Sequence, residues 1–432
     1  MSVRIIQVDL AEPLPTLQAG GGDRCHGDLW ILVKLGPQPI GWVRCGDVKN
    51  FGKQIGPDQL LKLANDALSR EIQAAARERA HEPITLTRTP SFSIVICTRA
   101  GSGSDAAPLQ RQLEHIAKLS YPAVNYEVIV VGDSNAAARA VCARFANVRY
   151  AYDPRPGINY ARNTGWQLAR REIVAYLDDG AIVDPDWLIA LAASHADAQV
   201  DCVTGVALPR EIETPVQEQL ELHLAATRKL RRRVYRPGTW STTFPLDAAR
   251  FHGSGGANLS VSRNTLETIG GFDVALNGEG GALDLFVGIL RDGGAIVHDP
   301  RAMVFRRYPR NSRELLSHFF EAACGFVSFC TKHAYCFELG NHATPLLARW
   351  FKQRLLAATI RGHRLSPDVA FAELLGGVTG LRGYGRAIRR VRKDQARFAK
   401  RDMTPAEVPL PAAPRPSPTP APTPTRGRKA AA

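Results

Sequence analysis

The sequence predicts an α/β protein with a mostly parallel central sheet, preceded by a small α+β module. Three observations predict it. Between residues 92 and 209, apolar runs the length of strands alternate with helical stretches, polar residues gather at the ends of those runs, and a hairpin-and-helix pattern precedes them. Strands that are apolar throughout are buried on both faces, and parallel neighbours need crossover helices to join them.

Residues 28–45, DLWILVKLGPQPIGWVRC, hold two β-rich runs around a Gly/Pro turn and read as a hairpin. From Gly56 the stretch GPDQLLKLANDALSREIQAAARERA starts a helix at Pro57 or Asp58, with Leu60, Leu61, Ala64, Ala67 and Leu68 on its apolar side. These form a module of residues 1–85, whose simplest role is structural or oligomerising. SIVICTRA, which follows Phe92, predicts a buried strand and a turn, residues 106–119 a helix, and EVIVVGDSN a second strand ending in polar residues. The pattern continues with a helix at 137–145, a strand at 148–152, a helix after Asn159 and the strand IVAYLDD. Ligands in such sheets collect at the carboxyl ends of the strands, which places Thr98, Arg99, Asp133, Asp178 and Asp179 along one crevice.

Residues 186–195 are expected to be helical and DCVTGVALP a strand. The segment 211–236 reads as a helix ending in Lys229, Arg231, Arg232 and Arg233, which is either a solvated face or a site. In GSGGANLSVSRNTLETIGGFD, glycines allow close backbone approach before a short strand and helix. A helix at 284–292, a strand at 295–297 and a helix at 315–332 follow. Residues 346–401 form a helical extension whose last part, 382–401, sets Arg382, Arg386, Arg389, Arg390, Arg392, Lys393, Arg397, Lys400 and Arg401 against Asp394 alone. Two readings stand for it: contact with anionic lipid or a partner protein through Ile388, Val391 and Phe398, or a solvated extension. The Pro/Ala/Thr-rich tail, residues 402–432, is expected to be disordered.

A net charge of +14 favours an anionic partner: a nucleotide, a phospholipid surface or, with charge alone to support it, a nucleic acid. The eight cysteines contain no CxxC pair, so reduced thiols are expected and zinc is not suggested. The N-terminus lacks the apolar core of a signal peptide, and no apolar run is long enough to cross a bilayer. The expected location is the cytoplasm, with peripheral contact at the inner face of the membrane. Neither GxxxxGK[ST] nor GxGxxG occurs.

Thr98, Arg99, Asp133, Arg162, Asn163, Asp178 and Asp179 could together bind a nucleotide, since carboxylates hydrogen-bond ribose or hold Mg²⁺ or Mn²⁺ and arginine meets phosphate with its planar donor fork. Asp178 and Asp179 are adjacent, so on an extended backbone they point apart, and the third position of the run is Gly180. They act either as a cation site or as solvated acids capping a strand.

VICTRA, YPAVNYEVIVVGDSN, DPRPGINYARNTGWQLARREIVAYLDDGAIVDPDWL and GSGGANLSVSRNTLETIGGFD, in this order, resemble the inverting family-2 glycosyltransferases over about residues 92–310. The resemblance implies the GT-A fold, here in residues 90–345, and a nucleotide-diphosphate sugar as donor, with a glycan, lipid-linked or small-molecule acceptor of the kind used in polysaccharide synthesis. It implies that Thr98, Arg99, Asp133, Arg162, Asn163, Asp178 and Asp179 face the donor, that Asp178 and Asp179 approach a Mn²⁺ or Mg²⁺ ion, and that Gly255, Gly256 and Asn258 shape the acceptor side.

Three departures from the family pattern stand out. Gly180 replaces the acid that usually binds metal, Gly281 and Ala282 replace the acidic pair that carries the base, and FRRYP lacks the usual histidine. Glu279 is the nearest substitute base, and Arg306 and Arg307 could neutralise diphosphate without metal, so that the sequence leaves two functions open: a hexosyltransferase, or a silent homologue that binds or scaffolds.

Overall fold

The structure, a computed structural model, describes residues 3–18, 28–45, 54–78, 82–98, 106–132, 135–225, 228, 230–237, 258–336, 343–359, 366–401 and 406–408. Near the N-terminus, β1 (Val3–Asp9) lies parallel to β3 (Asp28–Leu35), which turns at Gly36 into antiparallel β4 (Gln38–Cys45), so the expected hairpin forms. Between and after them, β2 (Leu17–Gln18) pairs with β5 (Gln54–Ile55), and α1 (Pro57–Arg77) begins at the expected proline. Leu60 and Ala64 of α1 are buried with Val8, Ile31, Val33 and Val43. The module also leans on the rest of the chain, because Leu32 packs with Val206, Leu208 and Met303, and the Val3 N–H donates to the Ile212 carbonyl at 2.8 Å.

A ten-stranded sheet forms the centre. Its strands are β6 (Phe92–Cys97), β7 (Tyr126–Gly132), β8 (Val148–Tyr152), β9 (Ile173–Asp178), β10 (Ile182–Val183), β11 (Val200–Pro209), β12 (Arg233–Tyr235), β13 (Asn258–Ser262), β14 (Ala295–Arg306) and β15 (Ala406–Val408). The order is β10-β14-β11-β13-β9-β6-β7-β8-β15, with β12 also on β14. Strands β6 to β9 are parallel, and β11 and β14 point the same way across the reversed β13, so six of the ten strands share one direction.

Side chains alternate across these strands, so β6 feeds two cores: Val95 and Cys97 pack with Val131 and Tyr176, Ile94 and Ile96 with Val130 and Leu177. Helices α2 (Ala107–Ile116), α3 (Ala136–Cys142) and α5 (Trp187–Ser194) cover the second core. The first core lies under α4 (Ile158–Leu168) and, after α6 (Pro215–Ala225), under α7 (Arg263–Ile269), α8 (Gly278–Arg291), α9 (Ser312–Cys336) and α10 (Ala343–Thr359). The chain then continues into α11 (Pro367–Leu381) and α12 (Gly383–Arg401). Coverage on both faces explains the unbroken apolar strands.

Glycines set the spacing of the last helices. A Cβ at Gly280 of α8 would overlap the Gly325 carbonyl of α9, and one at Gly325 would lie 2.8 Å from the Asn277 carbonyl oxygen. On its other side α9 meets α11 in the same way, with Gly376 against the Phe320 carbonyl and a Cβ at Gly380 only 2.7 Å from the Cys324 carbonyl oxygen.

Several expectations need correction. The helix expected over 211–236 ends at Ala225, and Arg233–Tyr235 pairs with β14 as a strand, because Val234 and Tyr235 suit a sheet edge better than the arginines suggest. The helix expected at 284 starts at Gly278, and within the helical extension expected over 346–401 α11 occupies Pro367–Leu381, where glycine-rich text marks no separate helix. Within the tail expected to be disordered, Ala406–Val408 pairs with β8. Cys45, Cys97, Cys142, Cys202, Cys324 and Cys330 are free thiols. Among the described residues no helix is long and apolar enough to cross a membrane.

The glycine contacts are testable by chemical denaturation. Gly280→Ala is expected to cost roughly 1–3 kcal/mol through overpacking. Gly385→Ala, where an added methyl meets nothing within 4 Å, is expected to be neutral or slightly stabilising. Equal effects from the two would rule out the close-contact account.

Candidate functional site

The strand-end crevice is built at the carboxyl ends of β6, β9 and β14. Alternation along β9 sends Asp178 and Asp179 to different sides, as the sequence requires. Asp179 Oδ2 accepts from Thr98 Oγ1 at 2.7 Å. Burial raises its pKa, the Thr98 bond opposes the rise, and the Asp178 charge adds to it. Asp178 lies within electrostatic range of Arg306 and Arg162; burial raises its pKa while both guanidiniums pull it down.

The turn after β9 explains Gly180. The Ala181 N–H donates to the Asp178 carbonyl at 3.2 Å, and Gly180 takes a left-handed φ of 73°. Buried Gln112 staples this turn: its Nε2 donates to the Asp178 carbonyl at 2.8 Å and its Oε1 accepts from the Gly180 N–H at 2.9 Å. An acid at this position would need the strained backbone and would place its Cβ 3.4 Å from Pro108.

Asp178 and Asp179, expected to approach a cation, have other partners in this structure. A hard divalent cation needs several convergent oxygen ligands, whereas here one carboxylate is held by Thr98 and the other faces two guanidiniums. Among the described residues no group of three or more His, Cys, Asp and Glu side chains is placed to hold a metal ion.

On the opposite wall, Glu279 occupies the first turn of α8 rather than the loop expected for it. Burial pushes its carboxyl up to about 7, against the pull of Arg306 and with a contribution from Glu373. Gly281, where the family pattern has an acid, lies so close to Asn159 that any Cβ would overlap the amide. That amide is already committed, its Nδ2 donating to the Asp273 and Leu276 carbonyls at 2.9 and 2.7 Å and its Oδ1 accepting from Arg162 Nη1 at 3.1 Å. The loop that enters α8 is therefore pinned to α4.

Arg306, the last residue of β14, lies within electrostatic range of both acids. The chain leaving it is held by a buried network: Tyr308 Oη donates to Glu221 Oε2 at 2.7 Å, and Arg228 Nη1 and Nη2 donate to Glu221 at 2.5 and 2.8 Å.

Residues 93–254 match the family model described as Glycosyl transferase family 2. Over this segment the chain is similar to the family-2 glycosyltransferases. The mannosyltransferase PcManGT from Pyrobaculum calidifontis, solved in complex with GDP-Man and Mn²⁺, is similar at 18% identity and a TM-score of 0.47, covering 74% of this chain and 97% of that one. No curated protein matches the chain. The chain has a mixed α/β architecture, with most strands of the central sheet running one way.

Three expected site residues have partners elsewhere in the fold. Asn163 Nδ2 donates to the Phe272 carbonyl at 2.8 Å, while its Oδ1 accepts from the Phe272 N–H at 2.8 Å and from Trp166 Nε1 at 3.2 Å, so it braces a loop instead of facing a donor. Asn258 is buried, accepting from Trp187 Nε1 at 2.9 Å and donating to the Val206 and Ala302 carbonyls at 3.1 and 2.8 Å, which removes it from the acceptor side. Arg307, more than half exposed, pairs with Glu211 at 3.3 Å.

Arg162 stays at the site, buried, its guanidinium 5.1 Å from the Phe272 ring centroid. Arg99, Asp133, Gly255 and Gly256 lie outside the described residues. A cavity of about 570 Å³ lies elsewhere, between the β3–β4 hairpin, α1 and α6, and none of the strand-end acids lines it.

Two side chains at the site carried no sequence signal. His318 of α9 is pushed down to about 4 by burial and by Arg306, and is neutral at pH 7. Glu373 of α11 is pushed up to about 7 by burial, opposed by Arg354, whose Nη1 lies 3.3 Å from its Oε2. Neither falls in a motif.

The raised Glu279 pKa has a definite sign. Unfolded, the carboxyl releases its proton near 4.5 and folded near 7, so its ionisation lowers stability as pH rises through that interval. Glu279→Gln is therefore expected to melt with the parent at pH 4 and above it at pH 8. A lower melting temperature at pH 8 would instead place Glu279 in a favourable ion pair.

Proposed function

We propose that the protein is an inverting glycosyltransferase that takes a hexose from a nucleotide-diphosphate donor, with Glu279 as base and Arg306 as the positive charge on the leaving diphosphate. The observation that carries this reading is the position of Arg306, in electrostatic range of Asp178 on the donor side and of Glu279 on the opposite wall. Residues 90–345 would form the transferase domain, 1–85 a supporting module and 346–401 an extension that completes one wall. The acceptor in this reading is a glycan or a lipid-linked sugar.

In the proposed reaction the acceptor hydroxyl oxygen attacks the anomeric carbon on the face opposite the diphosphate, and its proton passes to the Glu279 carboxylate. The bond from the anomeric carbon to the diphosphate oxygen breaks, and its electron pair leaves on that oxygen, where the Arg306 guanidinium stabilises the charge. The products are the inverted glycoside, a nucleoside diphosphate and protonated Glu279, which returns its proton to water. A carboxyl tuned near neutrality suits a general base, being ionised at pH 7 to 8 and still basic enough to accept the proton. Arg306 and Arg162 supply positive charge where the described acids do not converge on a cation, so donor binding in EDTA is part of this proposal.

Calorimetry with UDP- and GDP-hexoses, in EDTA and in Mn²⁺, is expected to show donor binding in both. Arg306→Ala should weaken binding at least about tenfold, and Arg307→Ala should stay within about twofold. Glu279→Gln should retain donor binding and lower kcat by about 10²–10⁴-fold. In the parent, kcat/KM should fall as pH drops below about 7, as Glu279 becomes protonated. Binding of no nucleotide sugar, or full turnover in Glu279→Gln, would remove this reading. Tight donor binding without hydrolysis or transfer would identify a silent binding subunit.

A further inference from the structure

We propose that α11 and α12 form a docking surface for an anionic lipid bilayer. The first observation is a stripe of large apolar side chains on α11, Phe371, Leu375, Val378 and Leu381, which are 66, 51, 57 and 40% exposed. Their spacing of four, three and three residues places them on one helical face. The opposite face is fixed inward, because Gly376, Gly377 and Gly380 sit against Phe320, Trp350 and Cys324 at distances that admit no Cβ. The helix cannot roll to bury the stripe without opening that seam.

The second observation is charge. Directly after Leu381, the exposed side chains of Arg382, Arg386, Arg389, Arg390, Arg392 and Lys393 follow along α12. The acid of that helix, Asp394, lies within electrostatic range of Tyr160 on α4. Of the anchors suggested by sequence, Ile388 and Val391 are half-buried and the Phe398 side chain lies outside the described residues, so the apolar contact is placed on the preceding helix. A groove of about 370 Å³ lies along the stripe, lined by Leu316, Phe320, Phe371 and Leu375, with Ser317 and Asp368 at its polar positions.

An apolar stripe continuous with a cationic helix matches a bilayer interface, where acyl chains take up the first and anionic headgroups the second. A nucleic acid would satisfy the arginines and leave four large apolar side chains in water, and a second copy of the chain would set like charges against each other. The surface does not depend on the transferase reading.

Co-sedimentation of the full chain with phosphatidylcholine vesicles, alone and with phosphatidylglycerol, tests the proposal. The parent is expected to bind only the anionic vesicles and to be released by salt at about 0.5 M. Phe371→Asp with Val378→Asp, and separately Arg389→Glu with Arg390→Glu, should each weaken binding at least about tenfold while circular dichroism and nucleotide-sugar titration stay at parental values. A parent that ignores anionic vesicles, or variants that bind as it does, would overturn the proposal. Concentration-dependent dimerisation lost in the Phe371→Asp, Val378→Asp variant, without vesicle binding, would assign the stripe to a second copy instead. Vesicle binding by a chain that binds no nucleotide sugar would keep this surface and remove the transferase.

Discussion

Two helices can approach to backbone contact only where no Cβ intervenes, and this protein uses that limit on both sides of α9. Gly280 and Gly325 join it to α8, while Gly376 and Gly380 join it to α11. The consequence is electrostatic. Glu279 and Glu373 are brought into range of each other in a region poor in water, and each carboxyl is pushed up to about 7, mainly by burial. Such a pair persists because Arg306 and Arg354 stand beside them, and because each carboxyl can keep its proton near neutrality. Wider helix spacing would hydrate both acids and return them to the ordinary carboxylate range.

Gly180 and Gly281 each have a local steric reason. The acid missing at position 180 follows from a left-handed turn stapled by Gln112, and the acid missing at 281 follows from contact with Asn159. The Arg306 guanidinium at the end of β14 lies within electrostatic range of Asp178 and offsets part of the cost of burying that carboxyl.

The strand framework was legible because burial on both faces writes itself as unbroken apolar text, and β6 to β9 lie where FSIVIC, YEVIVVG, VRYAY and IVAYLD predict. The divergence of Asp178 and Asp179 was legible for the same geometric reason. What the sequence hid were partnerships across long separations. Asn163 and Asn258 look like polar site residues in isolation, yet each spends its amide on backbone groups about 40 to 110 positions away. Arg306 and Arg307 are chemically identical neighbours, and only the position of Glu211 separates their roles. Glycine-rich helices were hidden because propensity in water argues against them, whereas a packed interface favours them.

The seam along α9 also ties the outside of the protein to its base-side wall. Phe371 and Glu373 are two residues apart on α11, about 200° around the helix, so the exposed stripe and the buried carboxyl occupy opposite faces of one element. Because Gly376 and Gly380 forbid rolling, anything that seats the stripe fixes the orientation of Glu373, and through it the electrostatic setting of Glu279. A bilayer on the outer face would therefore stand at a fixed attitude to the crevice, with the thickness of α11 and its contact with α9 between them. In the transferase proposed above, an acceptor presented at such a surface would meet the crevice at that fixed attitude, and the glycine seam would have a second role beyond packing.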